Sequence, residues 1–209
     1  MNTTNWPTIY GFERLSLCDW PAHNSSVIFL GGCNMRCPTC HNWQLAWDYE
    51  GLPAIAPQDI LAHLRARKDW LDGLVITGGE ATCAPELAAM LAGLKVLGLP
   101  IKVDSNGQYP EVIEHLLRHK LADAFSIDVK GPWDLYPKLT GGTTSPEQAE
   151  RNLTQIFALA SEFPEAFMFR MTQVPIIDEK SIKIVEKYLP EGFTLTVQRF
   201  IPPSGHAAE

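Results

Sequence analysis

The sequence has no basic run, and its 17 lysines and arginines are outnumbered by 24 aspartates and glutamates, for a net charge of −7. That balance argues against nonspecific binding to nucleic acid or to an anionic membrane surface. No apolar stretch approaches the ~20 residues that span a bilayer. The opening MNTTNWPTIYGFERL lacks a positive segment followed by an apolar one. Neither a membrane span nor a signal peptide is expected, and the expected location is the cytoplasm. Repeats, low-complexity segments and linker-like shifts in composition are also missing. The 209 residues, 45% hydrophobic, therefore read as one domain over 1–209, with an irregular N-terminal segment 1–25 and a short tail 201–209. Cysteine is scarce: Cys18, Cys33, Cys37, Cys40 and Cys83 are all there are. An odd count in a reducing compartment argues against a disulfide framework, so clustered cysteines point to metal binding or catalysis.

What is present alternates short apolar runs with amphipathic stretches. VIFLG (27–31), LVITG (74–78), IKVDS (101–105), AFSIDVK (124–130), FMFRMTQV (167–174) and FTLTVQRF (193–200) read as strands. Helices are expected over 57–70, 85–98, 111–119 and 179–188, and another opens at Ser145-Pro146-Glu147. There serine caps, proline takes the first position and an acid follows. Six βα-type units argue for a parallel α/β sheet with helices outside, either doubly wound or an incomplete barrel. The polar oddities cluster where such folds place their sites, at the carboxyl ends of strands. A cysteine loop follows the first strand, Gly78-Gly79-Glu80 the second, and Asp104-Ser105-Asn106-Gly107 ends the third. Asp128 and Lys130 end the fourth, and Arg170 lies within the fifth.

Three thiols, Cys33, Cys37 and Cys40, lie within eight residues in GGCNMRCPTCHN. Zinc would need His41 or another group as a fourth ligand, and adjacent Cys40 and His41 make a strained pair. A [4Fe–4S] cluster would take one thiolate on each of three irons and leave the fourth iron open to a substrate or cofactor. Unrelated buried thiols need no such spacing.

The Cys-x3-Cys-x2-Cys spacing resembles the signature of the radical S-adenosylmethionine (SAM) superfamily. GFERLSLCDWPA (11–22), VIFLGGCNMRCPTCHN (27–42), TGGEA (77–81), DSNG (104–107), SIDVKG (126–131) and FRMTQVPIID (169–178) resemble the enzymes that activate glycyl radical enzymes. Within these the chain is most similar to the short activating proteins of anaerobic ribonucleoside-triphosphate reductase. The resemblance runs from about Gly11 to Pro202. It implies a partial (βα)6 barrel of parallel strands, one [4Fe–4S] cluster held by Cys33, Cys37 and Cys40, and SAM on the open iron. It also implies reductive cleavage of SAM and abstraction of a glycine Cα hydrogen from a partner glycyl radical enzyme. An electron donor of the flavodoxin or ferredoxin kind goes with that chemistry.

The site residues carry over by position. Gly78, Gly79 and Glu80 match the turn against the SAM amino group; glycine lets backbone approach a ligand and a carboxylate can pair an ammonium. Asp128 and Lys130, two apart and so on one face of a strand, match groups for ribose hydroxyls and the SAM carboxylate. Asp104 and Ser105 match a motif whose aspartate can share a monovalent cation with the aspartate of the fourth strand. Arg170, a charge in a two-sided sheet and costly unless paired, matches an arginine that contacts SAM. Asp19 matches an aspartate near the substrate glycine, a catalytic position. His41 and Asn42 read as supports of the cluster loop.

There are departures. Thr39 stands where relatives place an aromatic ring near the adenine, leaving that packing to His41 or Trp43. Ala22 stands where relatives often have glycine, and His206 is offset from the family's late histidine. Cys18 and Cys83 match no family position. A small-molecule radical SAM enzyme, such as a 7-carboxy-7-deazaguanine synthase, is the alternative enzyme reading. A zinc-stabilised interaction module is the non-enzyme one. Cys37→Ser is expected to abolish both cluster formation and SAM cleavage; iron analysis and a 5′-deoxyadenosine assay check it, and intact cleavage would overturn the ligand assignment.

Overall fold

The computed structural model describes residues 3–202, so His206 lies outside the described residues. The six expected strands are present: β2 (Ser25–Leu30), β3 (Gly73–Gly78), β4 (Ile101–Ser105), β5 (Ala124–Asp128), β6 (Phe167–Gln173) and β7 (Leu195–Arg199). They are preceded by one that was not expected, β1 (Ile9–Ser16), inside the segment read as irregular. It runs antiparallel to β2, from Ile9 opposite Leu30 to Ser16 opposite Ser25, with register shifts after Ile9 and after Glu13. Those irregularities break the period-two alternation, and an edge strand with one face in solvent carries little apolar signal.

The order along the sheet is β1 to β7 in sequence, with every pair after the first parallel. A doubly wound sheet reverses its order at a switch point. An order that never reverses winds one way and curls into a barrel, which decides between the two arrangements. Among the described residues β1 and β7 are the sheet's edges, so the barrel is partial.

Helices α2 (Pro57–Arg67), α3 (Leu87–Lys95), α4 (Pro110–Arg118), α6 (Pro146–Glu162) and α7 (Glu179–Glu186) follow the strands as crossovers. Each buries one apolar stripe: Ile60, Leu61 and Leu64 on α2; Met90, Leu91 and Leu94 on α3; Leu153, Ile156 and Ala160 on α6. Ser145 caps α6 as expected, accepting from the Gln148 amide at 3.2 Å. Trp70 is a correction. It is the last residue of the helix expected over 57–70, but α2 ends at Arg67 and Trp70 is 75% exposed. Short helices α1 (Trp43–Trp47), straight after the cysteine loop, and α5 (Tyr136–Leu139) were not anticipated; at one turn each they have no periodicity to read.

The core has two parts. The larger lies between the helices and the outer face of the sheet. The smaller is formed by Trp20, Val27, Val75 and Ala124, with Phe29 and Met168 against it. Val75, Lys102 and Ala124 are successive ladder partners on β3, β4 and β5, so this small cluster lies on the inner face, at the amino ends of the parallel strands. It is a hydrophobic plug inside the barrel. Trp20 enters it from the turn between β1 and β2, stacked on His23 at 4.4 Å between ring centroids. In that turn Ala22 has φ of 62°, the left-handed conformation that L-residues adopt at a cost of roughly 1–2 kcal/mol. This is why a glycine suits the position. Ala22→Gly is expected to stabilise the protein by about 0.5–1 kcal/mol, the relieved strain being partly offset by the extra freedom of the unfolded chain. Chemical denaturation reads it, and a destabilised variant would contradict the account.

Candidate active site

One cavity lies at the carboxyl ends of the parallel strands. Cys33, Cys37, Cys40, Thr39, His41 and Asn42 form one wall, and Gly78, Gly79 and Glu80 a second. Asp104, Ser105, Asp128, Lys130 and Arg170 line the rest. Its empty space is about 960 Å³, a figure that includes the open mouth. Eleven of the twelve residues selected from sequence therefore meet in one place. Asp19 does not. It follows Ser16, which pairs with the amino end of β2, and its neighbour Trp20 lies against Gly73 at the amino end of β3. Its carboxylate accepts from the Ser16 hydroxyl, on the opposite end of the barrel from the thiols.

The cysteine loop is held by backbone. The Gly79 amide donates to Leu30 O at 3.0 Å, Glu80 to Gly32 O at 2.8 Å and Arg36 to Thr140 O at 3.0 Å. The Trp47 indole donates to Met35 O at 2.8 Å, and Asn42 Nδ2 to Gly78 O at 3.0 Å. Asn42 thus supports the loop, as expected. The double glycine is demanded by this closeness. A Cβ on Gly78, whose φ is 128°, would lie 2.0 Å from Leu30 O, and one on Gly79 would lie 2.1 Å from Gly32 O. The Glu80 carboxylate, 3% exposed, accepts from the Thr82 amide and hydroxyl and from the Asn106 amide at 2.7 Å. It ties the β3 turn to the β4 turn, where Asn106 Nδ2 donates to Asn34 Oδ1 at 2.7 Å. Burial pushes the Glu80 carboxyl up. Ser105 accepts from the Gly107 amide at 3.1 Å and shapes the same turn.

Burial also pushes the three thiols up, Cys33 to about 12, with Cys37 and Cys40 in the same direction. The Lys130 ammonium pulls all three the other way, and the Met35 amide donates to Cys33 Sγ at 3.4 Å. Thiols of this kind ionise when a cationic centre binds them. Three clustered thiols beside a cationic wall fit a cluster with three thiolate ligands and a neighbouring anionic group.

The cationic wall is an alternating chain of charges across β4, β5 and β6. Lys130 Nζ donates to Asp128 at 3.1 Å, Arg170 Nε to the other Asp128 oxygen at 2.5 Å, and Arg170 Nη1 to Asp104 at 3.3 Å. The other Asp104 oxygen accepts from Lys102. Burial would push the Asp128 carboxyl up, but Arg170 and Lys130 outweigh it and hold it well below the usual carboxylate range. Lys102, 0% exposed, was missed from sequence. The signal was there: a lysine in IKVDS, two residues before Asp104 in a strand buried on both faces, raises the same question as Arg170. His41, expected as a loop support or adenine platform, sits edge-on to Phe200 at 5.8 Å. Cys83 lies outside this cavity, and burial pushes it to about 11.

Comparison with known proteins agrees with this geometry. The Radical SAM superfamily model matches residues 27–188. A Methanocaldococcus jannaschii protein named for glycyl-radical enzyme activation is 33% identical over 205 residues, covering 96% of this chain and 83% of its own. The pyruvate formate-lyase-activating enzyme of Clostridium pasteurianum is 30% identical over 127 residues, 58% of this chain and 52% of that one. The chain thus spans about half the length of that relative. Among solved structures, Streptococcus suis SuiB superposes with a TM-score of 0.64 at 16% identity, over 87% of this chain and 40% of SuiB; that likeness is one of fold.

Gly79→Ala is expected to cost about 1–3 kcal/mol of stability, because the added methyl meets a carbonyl held by backbone rather than a yielding side chain. It is also expected to slow cluster loading, read by denaturation and by iron content; a variant as stable as the parent would contradict the close-approach argument. The family match, the thiol loop and the cationic wall lead to one assignment: the chain belongs to the radical SAM superfamily, enzymes that work with a [4Fe–4S] cluster and SAM.

Proposed function

We propose that this protein activates a glycyl radical enzyme, and that its partner is an anaerobic ribonucleoside-triphosphate reductase. The observation that carries the reading is the single cavity in which three thiols face a wall of fixed cations across a double-glycine turn. Similarity along 96% of the chain to a relative named for glycyl-radical enzyme activation supports the choice of partner class.

When bound, the cluster and SAM would supply one-electron reductive cleavage of SAM and with it the power to take a hydrogen atom from a glycine Cα. The protein holds and orients. Cys33, Cys37 and Cys40 would ligate the cluster. The carbonyls of the Gly78-Gly79 turn accept from the SAM amino group, the turn being seated by the close approach to Leu30 and Gly32 that a Cβ would block. Lys130 and the N–H groups of Arg170 left over from its carboxylate partners meet the SAM carboxylate. Asp128 accepts from ribose hydroxyls. Met35, Leu139 and Val174 provide apolar lining that keeps water from the reacting atoms. A flavodoxin or ferredoxin supplies the electron.

The test is anaerobic. Cluster-loaded protein, a reductant, SAM and the reductase of the same organism are combined and followed by electron paramagnetic resonance. A glycyl radical doublet on the reductase, with 5′-deoxyadenosine formed, is the expected result. Deoxyadenosine without a glycyl radical would overturn the partner. Arg170→Met is expected to lower SAM affinity by about tenfold or more, because both carboxylates lose a charged donor at once; unchanged affinity would remove Arg170 from the SAM site.

A further inference from the structure

Lys102 places a charge where charge is costly. It is fully buried, and its ladder neighbours are Val75 and Ala124, both members of the hydrophobic plug. The side chain rises from that plug to Asp104, two residues on and on the same face of β4. One Asp104 oxygen faces Lys102 and the other Arg170; one Asp128 oxygen faces Arg170 and the other Lys130. Both carboxylates are thus met by side-chain cations at each oxygen. The five groups, Lys102, Asp104, Arg170, Asp128 and Lys130, carry three positive charges against two negative. An alkali ion shared by Asp104 and Asp128, as the family resemblance implies, would enter beside three fixed cations.

We propose that the Lys102 ammonium is the built-in monovalent cation of this site. It is a positioning residue: it fixes Asp104, and through Asp104 the guanidinium of Arg170, so that SAM binding needs no alkali ion from solution. A tethered ammonium carries the same charge as the ion, and burial of its stem in the plug holds it there with no loss on dilution. This inference rests on the reading of the cavity as a SAM site.

The experiment measures SAM affinity of the cluster-loaded protein, by calorimetry and by the change in its paramagnetic spectrum, in buffer whose sole cation is choline, then with potassium or ammonium added. Wild-type affinity is expected to be the same in all three. Lys102→Ala is expected to lose about tenfold to a hundredfold in choline, as for a lost charged hydrogen bond, and to regain much of it with ammonium or potassium. Lys102→Met, which fills the space without charge, is expected to lose as much and regain nothing. Wild-type protein that binds SAM only with potassium or ammonium present would overturn this inference alone, and that result needs no variant to fold. Lys102→Met that binds SAM as tightly as wild type would also overturn it. Wild-type protein that binds no SAM in any buffer would overturn the site reading and this inference together.

Discussion

Everything in the barrel's lumen depends on holding five charges in register. Lys102, Asp104, Arg170, Asp128 and Lys130 come from β4, β5, β6 and the turn after β5. Burying any one of them alone would cost several kcal/mol. Linked in alternation, each carboxylate has two cationic donors, and the cost is offset across the set. The register of the sheet makes this possible: Asp128 is the ladder partner of Arg170, and Asp104 lies one strand over. A slip of one residue on any of these strands would turn its charge outward under the helices. The charged layer therefore specifies the strand alignment as well as the chemistry.

That layer divides the barrel. Beneath it, Trp20, Val27, Val75 and Ala124 close the amino end with apolar contacts. Above it, the cysteine loop closes one side of the carboxyl end. The loop has almost no regular structure of its own, and its position comes from backbone bonds to the ends of β2 and β3 and to the turn after α5. The double glycine is the hinge of this arrangement, since only a residue without Cβ lets the β3 end pack against the carbonyls of Leu30 and Gly32. A thiol set on a backbone-tied loop and a cation set on strand ends face each other across the cavity. Such fixed positioning suits chemistry in which a reactive radical must meet one partner atom.

The sequence by itself determined the parallel α/β class, the six parallel strands, the Ser145 cap and the thiol loop. These are local: alternation, capping and spacing are written in neighbouring residues. It also indicated most of the site, because a charge or a glycine at a strand end is conspicuous against apolar surroundings. Tertiary structure alone decided the rest. Strand β1 is stabilised by pairing with β2 rather than by its own pattern, so nothing local announces it. The absence of an order reversal, and hence a barrel in place of a doubly wound sheet, is a property of which strands pair. Asp19 and the thiols are near in sequence but at opposite ends of the barrel, since β1 runs against β2. Lys102 is conspicuous as a charge in its strand, but only the ladder sets it beside Val75 and Ala124, beneath Asp104. Only the curvature of the sheet turns those separate inward faces into one lumen, where a charge must find its partner or not be there.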